Sequence, residues 1–140
     1  MDRALVERAQ RGDREAYERL AGGAARRLYL IAWRTVRDSD QADDAVQQTL
    51  VAIWRDLPTL RDPDRFEAWT YRLVVRFCLD EVRRDKRRGA TIVADLPDGR
   101  DPIAGVVLHD ELDRAFRALT PDHRAVLALR YLVALLVTVG

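Results

Sequence analysis

The chain has 140 residues, 48% of them hydrophobic, with 24 basic against 23 acidic side chains and a formal net charge of +1. That apolar fraction supports a packed core and excludes wholesale disorder, and the single cysteine, Cys78, excludes an intrachain disulfide or a cysteine-based metal cluster. The N-terminus MDRALVERAQRGDREAY is charged throughout, unlike a secretory signal, and the apolar run at residues 131–139 is far shorter than the ~20 residues that span a bilayer. A cytoplasmic protein without membrane contact is expected.

Helical periodicity dominates and no strand alternation of useful length occurs, so the fold class is all-α. A short helix over residues 3–10 stops at Gly12, and Asp13 caps a longer one reaching Val36. Tyr17, Leu20, Ala24, Leu28, Ile31 and Thr35 form its apolar stripe. Asp38 and Gln41 stand in capping-box register at the start of a helix to Asp56. Its inward face reads Ala42, Ala45, Val46, Thr49, Leu50, Ile53 and Trp54, while Asp40, Asp43 and Asp44 suit the positive end of the helix dipole. Pro58 ends that helix, and residues 59–65 (TLRDPDR) carry turn chemistry. A third long helix over residues 65–87 aligns Phe66, Trp69, Leu73 and Phe77 on one line. Residues 89–103 lose the periodicity and read as a linker between a first domain (1–88) and a second segment (104–140). That segment opens with a helix over residues 104–118, and Thr120 with Pro121 starts another.

Charge is segmental. Residues 55–88 hold ten basic and seven acidic side chains, residues 89–113 one basic and six acidic, and Lys86 is the only lysine among the cations. Arginine suits bidentate contact with phosphate or carboxylate, so a basic helix end followed by an acidic tether favours a polyanion-binding face. Enzymatic chemistry finds little support. His109 and His123 stand alone, no metal-ligand spacing occurs, and no phosphate-cradling glycine loop or nucleophile motif is present, so no catalytic residue, metal or cofactor is expected.

Three stretches together resemble the extracytoplasmic-function sigma factors of bacterial RNA polymerase. Residues 41–54 (QADDAVQQTLVAIW) are similar to the core-polymerase-binding segment of region 2, and residues 65–88 (RFEAWTYRLVVRFCLDEVRRDKRR) to the segment that opens promoters and reads the −10 element. Residues 111–132 (ELDRAFRALTPDHRAVLALRYL) look like the start of region 4. The resemblance implies a complete region 2, transcription initiation as the function, and three partners: a coiled coil of the largest polymerase subunit, the non-template strand of the −10 region, and an anti-sigma factor.

By the same resemblance, Asp43, Asp44, Gln47 and Gln48 would bind core polymerase; on an arbitrary helix such residues merely solvate the outer face. Single-stranded bases need aromatic or arginine planes to stack on. Tyr71 and Arg72, turned off the Phe66–Trp69 line, are the expected DNA contacts on the third long helix, with Arg61 and Asp64 as polar readers in the loop before it. Arg83, Arg84, Lys86, Arg87 and Arg88 would meet phosphates, although cations at a helix C-terminus are also locally stabilising. The family commonly has asparagine where this sequence has Arg76, which bears on the −10 preference. Region 4 should continue through a turn and a −35-reading helix, whereas Leu132 is followed only by VALLVTVG. A truncated region 4 is therefore expected, leaving core binding intact and promoter engagement weak. The alternative is a helical module that occupies polymerase or an anti-sigma factor without opening DNA.

Overall fold

Three aspartates open the first three helices. Asp2 accepts from the backbone N–H groups of Ala4 and Leu5, Asp13 from Ala16, and Asp38 from Asp40 and Gln41, each satisfying donors that a helix start leaves unpaired. The computed structural model describes residues 2–88, 114–115 and 117–132. It contains α1 (Arg3–Gln10), α2 (Arg14–Val36), α3 (Ser39–Asp56), α4 (Phe66–Arg87) and α5 (Pro121–Leu127). Two 3₁₀ turns, Leu57–Thr59 and Pro63–Arg65, join α3 to α4, and a π turn, Ala128–Leu132, follows α5.

The connections are short and specific. Gly12 adopts φ 93° between α1 and α2, a conformation that costs glycine nothing. Asp13 also takes two hydrogen bonds from Arg8, at 3.0 and 2.8 Å. The backbone N–H of Ala16 and then Arg8 hold its carboxyl below the usual range. At the end of α2, Arg37 is left-handed at φ 56°, donates its N–H to the Trp33 carbonyl, and lays its guanidinium 5.1 Å from the Trp33 ring centre.

Helices α2, α3 and α4 pack against one another, with α3 against α4 the most extensive contact. The buried face of α3 consists largely of small residues, Ala42, Ala45, Thr49 and Ala52, with Val46 and Ile53. On α4 the buried line is Phe66, Thr70, Val74, Cys78 and Glu81, at four- and three-residue steps. This differs from the line of large side chains expected along α4. Phe66 and Leu73 are buried, but Trp69 and Phe77 are half-buried at one flank, and the other flank is Tyr71 and Val75. Tyr71 is only 2% exposed, so it lies in the core and not off it. The physical reason is that the middle of the line is taken by the smaller side chains Thr70, Val74 and Cys78, which leaves Trp69 and Phe77 at the margin. Trp54 departs for a related reason. It is 41% exposed and stacks its edge on Tyr17 of α2 at a centroid distance of 5.0 Å.

Buried hydroxyls are satisfied within their own helices: Thr35 donates to the Ile31 carbonyl, Thr49 to Ala45 and Thr70 to Glu67. Helix α5 lies against α2 and α4 with Arg124, Ala125 and Ala128 buried. The expected linker at 89–103, most of the expected 104–118 helix and the tail at 133–140 lie outside the described residues. Among the described residues no helix is long and apolar enough to cross a membrane.

Two measurements probe this core. Leu28 is fully buried on α2, so Leu28→Ala should lower unfolding stability by about 2–5 kcal/mol in chemical denaturation. Burial, and then the nearby Glu81 carboxylate, push the Cys78 thiol up to about 12. Cys78 in the folded chain should therefore resist a thiol-specific disulfide reagent at mildly alkaline pH and react promptly in denaturant; rapid labelling of the native chain would contradict its placement.

Candidate functional site

The capped N-terminal half of α3 turns Asp43, Asp44 and Gln47 to solvent, because Ala42, Ala45, Val46 and Thr49 take the buried side. Gln48 is placed differently. It is half-buried, and its amide donates at 2.5 Å to Glu81 of α4, a carboxylate only 4% exposed that also accepts from Arg84 at 3.0 Å. Gln41 reaches Asp85 in the same way, so two amide–carboxylate bridges join antiparallel α3 and α4. Of the four expected polymerase contacts, three share an open face and the fourth is committed to the helix pair. Val51, 63% exposed, and Trp54 continue that open face toward the end of α3. Four-residue spacing from Gln47 to Val51 is the signal for it, and an apolar side chain at that step hides it.

The cations of α4 occupy another surface. Arg72, Arg76, Arg83 and Arg87 are all exposed and recur at four-, seven- and four-residue steps, which keeps them on one side of the helix. The row is roughly 22 Å long at 1.5 Å per residue. Arg76 rests its guanidinium 5.4 Å from the Phe77 ring centre, and Arg83 lies 3.6 Å from Asp80. Arg84 turns to Glu81, while Lys86 and Arg88 are exposed at the helix end. Burial raises the Tyr71 hydroxyl, with Glu67 adding to the rise and Arg27 opposing it. Its ring offers no open plane for a base.

Between the helices, Arg61 is exposed on the segment joining the two 3₁₀ turns. Asp62 caps the second turn by accepting from Asp64 N–H at 3.0 Å, and Pro63 is buried beneath it. Asp64 is exposed, but its carboxylate is paired at 2.8 Å with Arg3 of α1. The arrangement presents an acidic and amide face on α3, a cationic row on α4, and a loop that α1 ties down. Its two polar faces suit a polar helical partner and a polyanion, and among the described residues no three His, Cys, Asp or Glu side chains group to hold a metal ion.

Residues 16–88 match the family model for Sigma-70 region 2, and the chain belongs to the sigma-70 family. Its relatives place it with the extracytoplasmic-function sigma factors. The ECF RNA polymerase sigma factor SigM of Mycobacterium tuberculosis H37Rv is 32% identical over 114 residues, covering 81% of this chain and 58% of SigM. The ECF RNA polymerase sigma factor SigE of Mycolicibacterium smegmatis is 30% identical, over 84% of this chain and 50% of SigE. The chain thus spans about half to three fifths of the length of these relatives. Among solved structures, CnrH in complex with the cytosolic domain of CnrY superposes with a TM-score of 0.53 at 26% identity, covering 99% of this chain and 98% of that one.

The division between open and committed polar residues is testable. Gln48→Ala leaves the buried Glu81 short of a donor and should cost about 1–3 kcal/mol of stability. Asp43→Ala, at an exposed position, should change stability by less than about 0.5 kcal/mol. Equal effects in denaturant titrations of the two variants would contradict the placement of Gln48.

Proposed function

We propose that this chain acts in transcription initiation as a sigma factor, its residues 1–88 working as region 2. The observation that carries the reading is the separation of two exposed polar faces on one helix pair. Asp43, Asp44 and Gln47 dock on a coiled coil of the largest subunit of core RNA polymerase, with Val51 and Trp54 beside them. Arg72, Arg76, Arg83 and Arg87, helped by Lys86, Arg88 and the Glu81-anchored Arg84, hold phosphates of promoter DNA, which supplies affinity and register without sequence information. Arg61 and Asp64 in the loop ahead of α4 meet the −10 non-template strand. Tyr71 keeps a packing role only. The chain works in the cytoplasm without a cofactor. The CnrH structure contains a protein partner, the cytosolic domain of CnrY, which supports a partner of the anti-sigma class for this chain as well.

Two variants separate the faces. Replacing Asp43, Asp44 and Gln47 together by alanine should weaken binding to core polymerase at least tenfold, equivalent to about 1.4 kcal/mol. Replacing Arg83 and Arg87 by alanine should leave core binding unchanged, while DNA binding by the holoenzyme weakens and its log–log salt slope falls by about one per lost phosphate contact. A folded chain that does not bind core polymerase contradicts the proposal. A chain that binds core but neither holds nor opens DNA is a polymerase-occupying module instead.

A further inference from the structure

Helix α1 lies outside the residues 16–88 that match the family, yet both of its ends hold the segment between α3 and α4. Val6 and Ala9 are buried and fix its inner face. At its C-terminal end, the half-buried Gln10 amide donates to two backbone carbonyls, Leu57 at 3.2 Å and Leu60 at 2.8 Å. These carbonyls bracket the first 3₁₀ turn, in which Leu60 N–H also bonds the Leu57 carbonyl at 3.1 Å. Leu60 leaves that turn in extended conformation and delivers Arg61 to solvent. At the N-terminal end, Arg3 pairs with Asp64 at 2.8 Å and lies 4.0 Å from Asp62. The two anchors differ in strength. Both partners of the Arg3 pairs are more than half exposed and screened by solvent, whereas the half-buried amide meets two backbone carbonyls, one of them shared with the Leu60 N–H, and is specific and hard to replace.

We infer that α1 is a brace that presets the loop from Leu60 to Arg65 for capture of a single-stranded base, with Gln10 as its positioning residue. The inference rests on the proposal that this loop meets the −10 strand. A flexible loop must be ordered when DNA arrives, at the expense of affinity and of discrimination between bases; a loop held in advance avoids that loss. Gln10 touches neither DNA nor polymerase and acts only through the backbone of the turn. Arg3 adds a second, salt-sensitive tether and engages the Asp64 carboxylate.

The test uses the full chain bound to core polymerase and a pool of single-stranded oligonucleotides randomised at six positions, with the retained sequences counted. Gln10→Glu keeps the shape but sets a carboxylate against two carbonyls. It should reduce base discrimination roughly five- to tenfold, the scale of one net hydrogen bond. Core affinity should be unchanged. Gln10→Lys restores a donor of similar reach and should recover most of the discrimination, a rescue that a purely structural role does not predict. Arg61→Ala serves as the control for the loop itself. If Arg61→Ala abolishes discrimination and Gln10→Glu does not, the brace is wrong and the loop reading stands. If neither changes it, or if the unaltered chain selects no sequence, the loop reading fails and the brace falls with it. A loss of core affinity in Gln10→Glu that matches its loss of discrimination would also overturn the inference, because it would mark a general defect in folding.

Discussion

The close packing of α3 on α4 is the constraint from which the other features follow. Ala42, Ala45, Thr49 and Ala52 on the α3 face, with Thr70, Val74 and Cys78 on the α4 face, leave the room this contact needs. With small side chains at the middle of this contact, Trp69 and Phe77 lie half-buried at its margin. The contact also brings a carboxylate inside. Glu81 would be costly there alone, and Gln48 and Arg84 satisfy it. Gln48 is thereby taken from the exposed face of α3 and given to the architecture, while Arg84 stays exposed with its guanidinium anchored at Glu81. The outward rows of α3 and α4 then keep a fixed geometry relative to each other.

Electrostatics on this frame is a matter of placement and not of net charge. A total of +1 says nothing about partners, yet the cations of α4 form a row and the acids of α3 cluster at a helix start. Asp40 in the first turn of α3 and Arg84, Lys86 and Arg87 in the last turn of α4 also have a local reason to be there, since acids favour helix N-termini and cations favour C-termini. Local stability and intermolecular recognition therefore ask for the same residues, and a sigma-type region 2 can carry strongly charged faces at little cost to folding.

The elements at either end of the family domain bear on its surfaces in different ways. Helix α1 contributes apolar anchors and one amide that pins a turn. Helix α5 lies against α2 and α4 with Arg124 and Ala125 buried. Both lie outside the matched residues and pack onto the bundle that those residues build.

Much of this was legible in the sequence, because helix boundaries are set by local chemistry. Asp13 and Asp38 as caps, Gly12 as a turn and Pro58 as a stop act on their immediate neighbours, and α1, α2 and α3 begin and end where those residues require. The family resemblance, spread over three segments, likewise needs no coordinates. Side-chain burial is another matter. Tyr71 and Arg72 are adjacent, and periodicity set both off the apolar line as DNA contacts; the packed bundle buries Tyr71 and leaves only Arg72 in solvent. Gln47 and Gln48 are indistinguishable by type, and only the position of Glu81, 33 residues beyond Gln48, commits one of them inward. Gln10 carried no sequence signal, since its partners are backbone carbonyls 47 and 50 residues away. Caps, turns and family identity belong to the sequence because they depend on near neighbours. The working faces were decided by tertiary structure, because they depend on which distant helix arrives beside each residue.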